Sequence, residues 1–114
     1  MTKDSIQMLL AEVQVPFAIV GNVSTCEVEH IGDSSSIEPK GLIKALFYDA
    51  HAVSALSDSV EEHSHRTWNQ GQIVCVVCKP EQGTVIGFFR KRLAPIEQFN
   101  WAEELCKKVN AAWK

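Results

Sequence analysis

Residues 72–90 read Gln72-Ile73-Val74-Cys75-Val76-Val77-Cys78-Lys79-Pro80-Glu81-Gln82-Gly83-Thr84-Val85-Ile86-Gly87-Phe88-Phe89-Arg90. Gln72 to Lys79 and Thr84 to Arg90 are runs of β-branched and aromatic residues, each of a strand's length. Between them, Pro80-Glu81-Gln82-Gly83 is a turn with proline at the position it favours. So tight a connection joins antiparallel neighbours, because a parallel pair needs a crossover of about a dozen residues or more. The stretch therefore predicts an antiparallel sheet, and the flanking sequence is read from there.

Upstream, His65-Arg66-Thr67-Trp68-Asn69 is a weaker strand. Phe17 to Val23 is a continuous apolar run, which reads as a central strand covered on both faces. Cys26 to Ile31 alternates with period two, as a half-exposed strand does. Ser24-Thr25 joins these two tightly and makes them an antiparallel hairpin. Helical spacing governs three other segments. Ile6, Leu9, Leu10 and Val13 mark a first helix from Ser5 to Gln14, with Asp4 or Ser5 as N-cap and Pro16 as its stop. After a loop at Gly32-Asp33-Ser34-Ser35-Ser36, a long helix is expected from about Pro39 to about Glu62. Its stripe is Leu42, Leu46, Val53, Leu56 and Val60, widened by Ile43, Phe47 and Ala50. Pro95 opens a last helix with the stripe Ile96, Phe99, Ala102, Leu105 or Cys106, Val109 and Ala112 or Trp113. The order is helix, two strands, long helix, three strands, helix. It predicts an α+β fold, a five-stranded, mostly antiparallel sheet with helices on both faces. The 114 residues contain no repeat and no linker, which fits one domain over 1–114.

Hydrophobic residues make up 46% and charged residues 22%, which excludes disordered and collagenous classes. No apolar run approaches the roughly 20 residues of a membrane span. The opening MTKDSIQMLLAEVQ is not a signal peptide, so the expected location is cytoplasmic. The net charge of −3 divides unevenly, with −7 over residues 1–65 and +4 over residues 66–114. The one short basic run, Arg90-Lys91-Arg92, reads as a solvated strand end. Neither nucleic acid nor membrane is expected as a partner.

Of the four cysteines, Cys26, Cys75, Cys78 and Cys106, two form a C-x-x-C. Strand positions three apart point to opposite faces, so Cys75 and Cys78 are expected to be free buried thiols that neither chelate a metal nor bond to each other. No G-x-x-x-x-G-K-[ST], G-x-G-x-x-G or H-E-x-x-H occurs, and neither a cofactor nor an enzymatic activity is expected. Glu61-Glu62-His63-Ser64-His65 crowds two carboxylates and two imidazoles. Such groups can bind zinc or act as general base, but here they lie at a helix C-terminus, where histidine suits the dipole. His30 and His51 have no identifiable partner, and a Cys–His nucleophile pair would meet only in space. Asp49 falls on the apolar stripe between Leu46 and Val53. A carboxylate there must be paired, reach a polar gap or sit at an interface, unless the helix rotates slightly and leaves it exposed; across a dimer formed by the central helix it could meet the partner's Lys44 or His51, with Leu46 and Val53 as interface candidates beside it. Trp68, on an expected edge strand, is a candidate interface anchor and equally a candidate core residue.

Several segments together resemble the roadblock/dynein-light-chain family within the wider group of profilin-like folds. They are the Ile6-Gln7-Met8-Leu9-Leu10 helix, the Phe17-Ala18-Ile19-Val20-Gly21 strand, the Leu42-to-Val60 helix, Gln72 to Lys79, Gly83, Val85 to Phe89 and the last helix. The likeness is one of element order over essentially the whole chain. It implies a homodimer or heterodimer that regulates or scaffolds small GTPases or motor complexes without being an enzyme. Two features depart from the family pattern: Cys26 to Ile31 lacks the usual glycine-rich hairpin, and the central helix is less alanine-rich. The alternative expectation is a small-molecule sensor, since PAS- and GAF-like domains share a five-stranded antiparallel sheet flanked by helices. A sensor should leave a cavity between sheet and helix.

Overall fold

A computed structural model describes residues 3–33, 35 and 40–113. The chain runs α1 (Lys3–Val13), β1 (Phe17–Asn22), β2 (Glu27–Gly32), α2 (Lys40–Leu46), α3 (Ala50–Ser59), β3 (His65–Gln70), β4 (Ile73–Glu81), β5 (Thr84–Lys91) and α4 (Pro95–Ala112). The five strands form one sheet in the order β2-β1-β5-β4-β3, and every neighbouring pair is antiparallel. The expected α+β architecture and element order are therefore those of the structure.

The alternation of β4 and β5 explains why both faces must be covered. Val74, Val76, Cys78, Ile86 and Phe88 point to one face, where they pack with Ile6, Leu9 and Leu10 of α1 and Ala102, Leu105, Cys106 and Val109 of α4. Cys75, Val77, Val85 and Phe89 point to the other, where they pack with Leu42 and Leu46 of α2 and Val53 and Leu56 of α3. Cys75 and Cys78 thus lie in different cores, and all four cysteines are free. Burial pushes the Cys75 thiol well above its ordinary range, as expected of an inert structural residue.

The tight turns set the register. Gln70 pairs with Ile73 across Gly71-Gln72, and Gly71 supplies the positive φ of +59° that this two-residue loop demands. Glu81 pairs with Thr84, so the β4–β5 turn is Gln82-Gly83, and Pro80 belongs to β4 instead of to the turn. The strand accommodates it through a register irregularity between Cys78 and Glu81, the setting in which a strand tolerates a missing N–H. α1 ends as expected before Pro16, with Gln14 at φ +58° and the Val15 amide donating to the Leu10 carbonyl at 2.9 Å. The expected caps differ. Ser5 lies inside α1, and the first position of the central helical segment, Pro39, lies outside the described residues.

The long central helix is corrected to two helices. α2 ends at Leu46 and α3 begins at Ala50. Asp49 is extended (φ −153°, ψ −178°), and its Oδ1 accepts from the Ala52 amide at 2.8 Å. It is the N-cap of α3, not a residue of an apolar stripe, because a carboxylate satisfies an orphan helix amide more favourably than it sits on a buried face. Asp49→Ala should lower stability by about 1 kcal/mol, and Asp49→Asn, which keeps the acceptor, should retain most of it. Urea unfolding of both variants measures the difference. Leu46 and Val53, expected beside Asp49 at an interface, are buried against the chain's own sheet.

Candidate functional site

The sheet has two edges of unlike chemistry. β2 carries Glu27 and Glu29, charges of the kind that discourage a second sheet from pairing there. β3 reads His65-Arg66-Thr67-Trp68-Asn69-Gln70 and carries one permanent charge. Trp68 is half-buried and packs against the α2/α3 core, with the Arg66 guanidinium 5.8 Å from its ring centroid. Its partner across the strands is Cys75. The expected anchor is therefore partly a core residue, and its exposed portion lies beside the open edge.

On the opposite face, α4 overhangs that edge. Ile96 and Phe99, expected on the buried stripe, are 78% and 63% exposed. Full burial on this helix starts only at Ala102. Phe99 and Ala102 face His65, Thr67 and Asn69 of β3 across an open cleft of about 310 Å³. Gln98 bridges the two elements, donating from Nε2 to Asn69 Oδ1 at 3.1 Å.

The segment Glu61-Glu62-His63-Ser64-His65 does not act as one cluster. Glu61 is exposed, and Glu62 accepts from Gln82 Nε2 at 3.2 Å and faces His63 at 3.7 Å on the surface. The cations at the C-terminus of α3 are not the histidines. Lys79 Nζ, buried, donates to the Ser57 carbonyl at 2.8 Å and Arg66 Nη1 to the Ser59 carbonyl at 3.2 Å. His65 turns to the other face, where its Nε2 lies 2.9 Å from Glu103 Oε1 of α4. A carboxylate only accepts, so His65 Nε2 carries the proton.

His65 and Glu103 line a second cleft, of about 400 Å³, together with His63, Ser64, Cys106, Lys107 and Asn110. Its floor is Cys106. The Cys106 thiol approaches the His63 carbonyl at 3.4 Å, and Asn110 Nδ2 approaches both that carbonyl (2.8 Å) and Cys106 Sγ (3.5 Å). Cys78 lies beneath, paired in register with His65. The Cys78 thiol hydrogen-bonds to Cys106 and thereby holds Cys106 down at about 6, helped by the charge of His65 and by Asn110, against the opposing effects of burial and Glu103. The same bond, with burial, drives Cys78 well above its ordinary range. Two buried polar atoms of this site, His65 Nδ1 and Asn110 Oδ1, have no hydrogen-bond partner.

Glu103, Cys106 and Asn110 were not among the expected site residues. One signal for their partner was present: a two-residue turn at Gly71-Gln72 places His65 opposite Cys78 by counting alone. Among the described residues no group of three or more His, Cys, Asp or Glu is placed to hold a metal ion, and no helix is long and apolar enough to cross a membrane. Compared with known proteins, the chain matches no family model, no curated protein and no solved structure.

Proposed function

We propose that this chain is a non-enzymatic interaction module that works as a homodimer joined along β3. The observation that carries the reading is the open, weakly charged β3 edge flanked on one side by Trp68 and on the other by the exposed Phe99. An unpaired edge offers a row of backbone donors and acceptors to a second strand. A two-fold axis beside β3 would bring each copy's exposed Phe99 towards the same patch of the other, the self-complementary arrangement of a symmetric pair. Aromatic residues at the centre of such a patch supply most of the binding energy. The filled cores on both faces of the sheet, with Val76, Phe88, Val77 and Phe89 fully buried, favour an interaction module over a sensor domain. A small GTPase is the partner class that the roadblock resemblance implies, and one encoded beside this chain is the protein to test against the dimer.

Light scattering should give about twice the 12.7 kDa chain mass, and a chain that stays monomeric at high micromolar concentration overturns the proposal. Trp68→Asp is expected to weaken the dimer, but it also removes a ring from the α2/α3 core. Phe99→Asp is the cleaner variant, because an exposed side chain contributes little to the monomer's fold. It should yield a folded monomer with an unchanged circular dichroism spectrum.

A further inference from the structure

The cleft floored by Cys106 has no part in the dimer reading, and its chemistry is that of a reactive thiol with a resolving partner. We propose that Cys106 reacts with hydroperoxides and that Cys78 resolves the product as an intramolecular disulfide. Four observations carry this. Cys106 is among the residues that line an open cleft, with 6% of its surface exposed. A second thiol, Cys78, lies in the same buried core and is close enough to Cys106 to perturb its ionisation. His65, half-buried and paired with Glu103, sits across the strands from Cys78, so an imidazole and two sulfurs converge from β3, β4 and α4. Two polar atoms at the site, His65 Nδ1 and Asn110 Oδ1, are buried without a hydrogen-bond partner and leave unsatisfied valences beside the thiols.

The groups around Cys106 come from every element that meets it there. Cys78 belongs to β4, His65 to β3, His63 to the segment before β3, and Glu103, Lys107 and Asn110 to α4 itself. The Cys78 thiol and His65 favour the thiolate, and Glu103 opposes it. The thiolate is the form that attacks peroxide.

In the first step the Cys106 thiolate attacks one peroxide oxygen. An S–O bond forms, the O–O bond breaks, and the departing alkoxide takes a proton to leave as the alcohol, or as water when the oxidant is hydrogen peroxide. Cys106 is then a sulfenic acid. In the second step Cys78 gives up its proton and attacks the Cys106 sulfur. The S–S bond forms, the S–O bond breaks, and the hydroxide leaves with that proton as water. Two thiols are oxidised by two electrons and one hydroperoxide is reduced. The two sulfurs must close to about 2.05 Å, a movement of α4 toward β4. Cys75 cannot resolve Cys106, because it lies on the opposite face of the sheet.

The experiment uses the reduced full chain carrying Cys26→Ser, which removes the exposed thiol. One equivalent of hydrogen peroxide should abolish two of the three remaining thiols, counted by alkylation under denaturing conditions, with a linked peptide joining Cys78 to Cys106. Cys106→Ser should leave every thiol intact. Cys78→Ala should stop at a sulfenic acid on Cys106 that dimedone traps. Should Cys78→Ala fail to fold, the parent protein still decides the matter, because its Cys106 should alkylate with a rate that is half-maximal near pH 6. Three thiols surviving the peroxide, a disulfide that omits Cys106, or an alkylation midpoint in the ordinary range of about 8.5 overturns the proposal.

Discussion

Phe88→Ala and Phe89→Ala are each expected to cost about 3–5 kcal/mol, a large share of the roughly 5–15 kcal/mol that holds a domain of this kind together. The two rings are consecutive on β5, and because successive strand residues face opposite ways, each fills a different core. Phe88 lies between Ala18 of β1 and Val76 of β4, small neighbours that leave the ring room beneath α1 and α4. Phe89 lies between Phe17 and Cys75, and its ring meets Phe17 at 5.6 Å and Phe47 at 6.2 Å. Phe47 approaches the sheet over Gly87, where an added Cβ would come within 2.8 Å of its ring. Both phenylalanines have no exposed surface, so neither cavity can collapse cheaply. Guanidinium unfolding should reveal both losses. The double variant should be close to additive in so far as the central sheet separates the two cores. A loss below about 1 kcal/mol at either site would mean that one helical layer is not packed as described.

Gly32→Ala should cost about 3 kcal/mol or more, since a left-handed backbone and a steric collision add. Gly32 ends β2 at φ +92°, and a Cβ there would lie 2.3 Å from the Pro16 carbonyl oxygen. That oxygen cannot easily withdraw, because it accepts the Asp33 amide at 2.9 Å and closes the β1–β2 pair opposite Phe17. Gly71→Ala is the control within the same chain. Gly71 also has positive φ, at +59°, but an added Cβ would meet nothing within 4 Å. Its cost should be the conformational part alone, about 1–2 kcal/mol. The difference between the two variants, measured by thermal or denaturant unfolding, isolates the collision at the entrance to β1. Equal costs would argue against the close approach of Pro16 to Gly32.

The two-state pattern of the strands was legible in the residues because it is local. Val74, Val76 and Cys78 alternate with Cys75 and Val77, and a period of two assigns them to two faces whatever surrounds the sheet. The same arithmetic separated Cys75 from Cys78. The turn at Gly71-Gln72 then determines the β3–β4 register by counting, whereas the β4–β5 register set at Gln82-Gly83 shifts by one residue at the irregularity between Cys78 and Glu81, so that Cys78 pairs with Ile86. The break at Asp49 was not legible from periodicity. Leu46 and Val53 are in phase as one helix, and no glycine or proline interrupts Phe47-Tyr48-Asp49. Only the sheet, against which Leu46, Phe47 and Val53 must all lie, selects the cap over the continuous helix.

Sequence by itself thus determined what depends on spacing along the chain: strand faces, hairpins, and the order of helices around an antiparallel sheet. The tertiary structure alone decided what depends on where an element ends relative to its neighbours. Ile96 and Phe99 carry the same apolar signal as Ala102 and Val109, yet they are exposed, because α4 joins the core only from Ala102 onward. Cys106 meets Cys78 and His65 because an 18-residue helix crosses the end of β4 at that point. Residues 28 and 41 positions apart have no local interaction to announce them, and their meeting is set by the packing of α4 on the sheet.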